Sequence, residues 1–367
     1  MKRLLCILSG MNAGGAETFL MKVYRNLNRA EYQMDFCINV KEKCFYEDEI
    51  LSLGGKIFRI PSKSENLKEF KRQLKAVVKS NGYERVLRIT SNAMGFMDLK
   101  VAKRAGARVC AARSSNASDG NSLKAKILHK LGRVLYQKYV DVALAPSDLA
   151  AQYTFGKRAY QKGKVSIIHN AVDLNVFSFD IEQRKVLRKE FGIGENVKVL
   201  GHVGRFAEQK NHSFLADVFR SVHDRHPNTA LLLVGDGPLR PSFFEKIERF
   251  GLADSVIFAG IRKDVPQVLS CMDVFVFPSF YEGMPNTVIE AQATGLPCVI
   301  SDAITRQADV TGLVKYLPLS DSAETWAKAV ADAFETDRRD TSKDFCRNRY
   351  DAESTVKDFT TLLFENE

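Results

Sequence analysis

At 367 residues the chain is long enough for two hydrophobic cores of ordinary domain size, at roughly 150 residues per domain, and too long for one small binding module. A composition of 45 % hydrophobic and 27 % charged residues, with 23 glycines against 10 prolines, excludes collagenous, disordered and coiled-coil classes. The net charge of +10 is unusual, and its distribution along the chain says more than its sum.

The chain opens on Lys2 and Arg3 followed by a short apolar run, as a signal peptide would. The run stops at Ser9 and leads into Asn12–Glu17, so it reads instead as a first strand. No apolar stretch approaches the ~20 residues that span a bilayer, and secretion and integral insertion are both disfavoured. Seven cysteines (Cys6, Cys37, Cys44, Cys110, Cys271, Cys298, Cys346) form an odd set without a Cys-x-x-Cys pair. They read as reduced, mostly buried thiols of a cytoplasmic protein.

Strand-like runs alternate with helical patterns throughout. The first half offers residues 4–8, 34–40, 56–60, 85–89, 108–111, 142–145 and 165–168; the second offers 198–203, 230–234, 256–259, 274–277 and 297–300. This predicts two successive doubly wound α/β domains, residues 1–173 and 174–350, joined near Asn170–Phe177. A closing helical segment within 351–367 could pack on either domain.

Residues 1–175 carry 31 Lys and Arg against 15 Asp and Glu, a charge of +16, and the remainder carries 23 against 29, or −6. The basicity therefore belongs to the first half. Two amphipathic patterns concentrate it, 67–79 and 123–138, in which apolar residues at helical spacing alternate with a Lys/Arg face. Such a helix suits an anionic membrane surface.

Three segments carry chemistry. Ser9–Thr18 places Gly14 and Gly15 between a strand and a helix starting near Ala16, where backbone N–H groups favour a phosphate. It lacks Gly-x-Gly-x-x-Gly and an acidic residue to hold a ribose, which disfavours a dinucleotide. Gly201–His212 sets Gly204, Arg205 and Lys210 in the loop after a strand, two cations suited to a diphosphate; His202 and His212 are expected to pack or cap. Phe277–Pro297 runs from a buried strand through a Gly/Pro loop into a helix, with Glu282 in the loop and Glu290 on the helix. Two carboxylates at this separation can each accept hydrogen bonds from a polyol, as a sugar and a ribose on one nucleotide-sugar would offer.

Glu282-Gly-Met-Pro-x4-Glu290-Ala, preceded by Gly204-Arg-x4-Lys210, by Leu-Leu-Val-Gly-Asp-Gly-Pro-Leu at 232–239 and by Gly14-Gly15-Ala-Glu, resembles glycosyltransferase family 4, within the glycosyl transferases group 1. The order and spacing of four motifs carry the resemblance. It implies a GT-B fold, two Rossmann-like domains facing each other across a cleft that closes on binding, and a retaining enzyme using a nucleotide-sugar. It further implies that Gly15, Gly204, Arg205 and Lys210 hold the donor diphosphate. Glu282, the backbone of Gly283, Met284, Pro285 and Asn286 and the adjoining Thr287 would then surround the donor sugar, with Glu290 on the ribose. Arg205, Lys210 and Glu282 are the residues expected to drive the reaction.

One segment departs from the family: Cys110–Asn116 has Arg113 or Ser115 where many members have a histidine. Arginine cannot act as a base, so Arg113 and Asn116 are candidate donor or acceptor contacts, or Arg113 a structural ion pair. No Asp-x-Asp pair is present, and His223 and His226 precede Pro227 without further ligands, so neither a metal nor another cofactor is expected. The resemblance implies same-face displacement, the leaving phosphate taking the acceptor's proton.

The resulting expectation is a cytoplasmic hexosyltransferase, peripheral on the inner face of the cell membrane. It would use a nucleotide-diphosphate sugar, UDP foremost, and a lipid-linked or free saccharide acceptor of cell-surface polysaccharide synthesis. A sugar-nucleotide epimerase of the same fold and a non-catalytic nucleotide-sugar binder are the alternatives. Nucleic acid is disfavoured because stacking aromatics do not interleave with the basic residues.

Overall fold

A computed structural model describes residues 1–12, 14–115 and 123–365. The chain forms two compact units, one of residues 1–171 joined by the segment from Arg349 onward, the other Val172–Asn348.

The first unit is a seven-stranded parallel sheet of β1 (Lys2–Ile7), β2 (Tyr32–Ile38), β3 (Ile57–Arg59), β4 (Arg85–Thr90), β5 (Val109–Ser114), β6 (Val142–Ala145) and β7 (Ser166–Ile167), in the order β3-β2-β1-β4-β5-β6-β7. Each face is covered. Phe19, Leu20, Phe36 and Phe359 pack on one side, and Phe70, Leu74, Phe96 and Phe155 on the other. Burial on both faces is why these strands read as continuous apolar runs rather than alternating ones. The segment Ala352–Thr360 and the turn Thr361–Glu365 belong to this unit. Phe359 meets Phe19 with centroids 6.1 Å apart, Phe364 meets Tyr32 at 4.8 Å, and Lys2 Nζ donates to the Phe364 carbonyl.

The second unit is a six-stranded parallel sheet of β8 (Lys198–Val203), β9 (Thr229–Val234), β10 (Val256–Gly260), β11 (Val274–Phe277), β12 (Cys298–Ser301) and β13 (Val314–Leu317), in the order β10-β9-β8-β11-β12-β13. Its core gathers Leu215, Phe219, Leu231, Leu233 and Trp326. In both sheets the winding reverses at the first strand, β1 lying between β2 and β4, and β8 between β9 and β11. Loops at the carboxyl ends of such strands are where α/β sheets bind ligands. Six of the seven cysteines are buried, Cys346 is exposed, and all are free thiols.

The helix Leu67–Ser80 starts at Asn66, whose side chain accepts from the Glu69 N–H. Its apolar residues Phe70, Leu74 and Val78 are spent in the core of the first unit. That corrects the expectation of a membrane-facing helix there, because a stripe already packed on a sheet has no apolar face left for lipid. The helix Leu123–Tyr136 differs. It rests on the turn Ala93–Gly95 that follows β4, through a narrow side at Gly132, where a Cβ would press on the Ala93 backbone at 2.7 Å. His129 pins the same side, Nδ1 accepting the Ala93 N–H and Nε2 donating to the Tyr153 carbonyl. Among the described residues no helix is long and apolar enough to cross a membrane.

Candidate functional site

The candidate residues of the second unit sit on the loops leaving β8 and β11 and on the helix that follows β11. After β8 the chain turns at Gly204, whose N–H donates to the Val234 carbonyl, and Phe206 N–H donates to Asp236 O in the loop after β9. That loop holds Gly235 at φ +131°, and a Cβ there would collide with the Gly204 carbonyl. Glycine at 235 is therefore what lets the two loops touch. The chain then makes a single 3-10 turn, Glu208–Lys210, and begins the helix His212–His223.

The turn delivers Lys210 to the loop after β11. Lys210 Nζ and Glu282 Oε1 are 2.7 Å apart, and the ammonium also lies 4.5 Å from the centroid of Phe277. Gln209 secures the same junction, Nε2 donating to the Tyr281 carbonyl at 2.8 Å while its own carbonyl accepts the Phe280 N–H at 2.9 Å. Glu282 is 8 % exposed, as is Glu290, so neither is a solvated surface charge. Gly283, Met284 and Pro285 are buried, Pro285 caps the helix Asn286–Ala293, and Asn286, Thr287 and Glu290 lie on that helix. Asn286 and Glu290 are one turn apart and share a face.

Arg205 is exposed, and among the described residues its guanidinium has no hydrogen-bond or ion-pair partner. The two predicted cations thus differ: Lys210 is held by a carboxylate and Arg205 is open. Together with the amino end of the 286–293 helix they make this edge of the sheet favourable to an anion, and Glu282 beside it can accept hydroxyl hydrogen bonds.

Behind these loops His202 and His212 are buried with rings 4.7 Å apart, His212 stacked on Phe206 and His202 on Phe277. His202 Nδ1 bonds the Val276 carbonyl, while among the described residues His202 Nε2 and both His212 nitrogens have no hydrogen-bond partner. Burial drives both basicities down, His202 well below the usual range and His212 to about 4. Both are neutral packing residues, as the sequence suggested.

In the first unit, Gly15 opens the helix Gly15–Asn26 with Gly14 as its cap. The Glu17 carboxyl folds back over Gly14, and burial raises its pKa. Arg113 lies within β5 at 1 % exposure. Nη2 donates to Asn170 Oδ1 at 2.6 Å and to the Ile168 carbonyl at 3.3 Å, and the guanidinium sits 3.6 Å from the Phe19 centroid. It has no carboxylate partner among the described residues, so the ion pair considered from sequence is absent. Enclosed between Phe19 and Asn170, Arg113 is also closed to a donor or acceptor, which corrects that expectation. Asn116 lies outside the described residues.

Sequence reasoning missed Gln209, the Gly235 contact and Asn170. A lone glutamine between two charged residues carries no signal, and the glycine carried one only through the Gly-Asp-Gly-Pro motif.

Two parallel-sheet α/β units with this loop set on the second sheet define a GT-B glycosyltransferase, and residues 197–336 match the family described as Glycosyl transferases group 1. Over nearly the whole length the chain is similar to EpsF of Bacillus subtilis (strain 168), named a "Putative glycosyltransferase". The two are 36 % identical over 337 residues, 90 % of this chain and 88 % of that protein. The chain belongs to this glycosyltransferase family. A shorter region, 142 residues at 36 % identity, is similar to the Escherichia coli UDP-Gal:alpha-D-GlcNAc-diphosphoundecaprenol alpha-1,3-galactosyltransferase, covering 38 % of this chain and 37 % of that enzyme. The fold is shared with Anabaena Alr3699/HepE, solved in complex with UDP and glucose, at a TM-score of 0.80 and 18 % identity over 98 % of each chain.

Proposed function

We propose that the protein is a family 4 enzyme that transfers a hexose, with retention of configuration and without a metal ion, from a UDP-sugar to a hydroxyl of a lipid-linked saccharide. It would act in cell-surface polysaccharide synthesis on the inner face of the membrane. The observation that carries this reading is the pairing of Lys210 with Glu282 near an exposed Arg205 that has no partner among the described residues, at the carboxyl ends of β8 and β11. The UDP in the HepE complexes and the diphosphoundecaprenol in the galactosyltransferase's name support the donor and acceptor classes.

In this reading Arg205 and Lys210, with Gly204 and the Gly15 N–H, bind the donor diphosphate. Glu282 and the backbone of Gly283 to Asn286 bind the sugar, flanked by Thr287, and Glu290 binds the ribose. The bond between the sugar's anomeric carbon and the β-phosphate oxygen breaks while the acceptor oxygen adds on the same face. The acceptor's proton passes to the departing phosphate oxygen. Fixed cations lower the barrier by stabilising charge that develops on the leaving diphosphate. The basic first unit would hold the acceptor.

The test is UDP release from UDP-glucose, UDP-galactose and UDP-N-acetylglucosamine, with and without an undecaprenyl-diphosphate-linked sugar and with and without EDTA, followed by NMR of the product. Acceptor-dependent release, resistant to EDTA and giving an α-linked product, is expected. Release independent of acceptor, or a β-linkage, would overturn the reading.

A further inference from the structure

The helix Leu123–Tyr136 leaves an unusual surface. His129 and Gly132 are its buried residues, whereas Leu123, Ile127, Leu128, Leu131, Val134 and Leu135 are all exposed, Leu123 and Val134 by three quarters. At 100° per residue these six fall within one arc of about 140°. Lys126, Lys130 and Arg133 border one edge of the arc. Large exposed apolar residues on one helix are not what a free surface tolerates without a partner.

Beyond the basic edge the surface opens into a groove of about 870 Å³ between this helix and residues 152–159. Arg133, Lys157 and Arg158 line it together with Gln137 and Gln152, and among the described residues no carboxylate does. None of the three cations has an ion-pair partner among the described residues. Arg133 lies across Gly156, where a Cβ would come within 3.2 Å of Nη1, and Gly156 sits at φ +96°, so this position suits glycine alone. Three uncompensated cations in an open groove favour a phosphate, and an apolar arc alongside favours the chains attached to it.

We propose that this groove is a headgroup site for an anionic phospholipid and that the apolar arc of the 123–136 helix is the part of the protein that enters the bilayer surface. The proposal rests on the membrane-facing role proposed above and adds where the contact is made. It also separates the two basic amphipathic helices, since the Leu67–Ser80 helix has its apolar stripe in the core.

The full chain is floated with vesicles of phosphatidylcholine alone or with 30 mol % phosphatidylglycerol, each variant's melting temperature being checked first. Wild type should partition strongly onto the anionic vesicles alone. Arg133→Gln/Lys157→Gln/Arg158→Gln should weaken that partitioning roughly a hundredfold, at about fivefold per cation. Ile127→Ser/Leu131→Ser/Val134→Ser should abolish it. Lys71→Gln/Lys75→Gln/Lys79→Gln, an equal loss of charge on the other helix, should cost only a few fold. Equal losses in the two charge variants, or wild-type flotation of the groove variant, would overturn the site while leaving the membrane reading standing. A wild-type chain that ignores anionic vesicles would overturn both. If the serine variant instead dissolves a dimer of the wild type in sedimentation, the arc is a protein interface and the proposal fails. UDP release, measured in parallel without vesicles, should be unchanged in all three variants, so failure of the transferase reading shows independently.

Discussion

Removing Lys210 and removing Arg205 should both cost activity but differ in stability, because one cation is structural as well as functional. In Lys210→Met the Glu282 carboxylate, 9 % exposed at its side chain, loses the ammonium 2.7 Å away. Breaking a buried pair leaves an uncompensated charge and costs about 3–5 kcal/mol, while exposed pairs are worth under about 1 kcal/mol. With Lys210 18 % exposed, about 3 kcal/mol is reasonable, or roughly 6–12 °C in melting temperature for a unit of this size. Trp326 is the single tryptophan and is fully buried in the second unit, so its fluorescence follows that unit alone. Lys210→Met/Glu282→Gln removes both charges and should recover most of the lost stability while remaining inactive. Arg205→Ala should melt within about 2 °C of wild type, yet lose tenfold to a thousandfold in kcat/KM, about 1.4–4 kcal/mol of diphosphate stabilisation. A Lys210→Met protein that melts like wild type would refute the argument from the ion pair. An Arg205→Ala protein with wild-type kinetics would refute the diphosphate role.

Glu282→Gln should keep UDP affinity, measured by calorimetry, and lose rate or selectivity among donor sugars. Gly235→Ala should displace the Gly204–Lys210 loop through the collision at the Gly204 carbonyl, lowering the Trp326 melting temperature and weakening UDP binding at least tenfold. Stability should also fall with acid in a defined window. His212 is held down to about 4 in the folded chain against about 6.5 unfolded, so between those values only the unfolded state takes up the proton. The loss grows as pH drops, reaches about 3 kcal/mol near pH 4 and is absent above pH 7. His212→Phe, compared by urea unfolding at pH 7 and 5, should flatten that dependence.

Most strands were readable because parallel strands covered on both faces must be apolar at every position. Val314–Leu317 was not: it is a short edge strand reading Val-Lys-Tyr-Leu, with Lys315 exposed, and its alternation is too brief to stand out. Arg205, Lys210, Glu282 and Glu290 were legible as types and spacings. That Lys210 and Glu282 bond each other was not, because the contact joins residues 72 apart through a register set by the β8–β11 pairing. The two basic helices carry the same pattern, and local sequence could not say which apolar face would find a core. The surroundings of Arg113 were hidden for a similar reason, since only the tertiary fold sets Phe19 and Asn170 around it.

The return of the chain to its first unit after Asn348 has a consequence for biosynthesis. The second unit is a contiguous insertion, whereas the first needs Phe359, Leu363 and Phe364 to complete one face of its sheet. The second unit can therefore close on its own residues, whereas the first waits with Phe19 and Tyr32 uncovered until the segment after Asn348 docks. A ribosome-stalled chain ending shortly after residue 348 should expose that gap to chaperones, and a truncated gene product should fail in the half of the molecule that was made first.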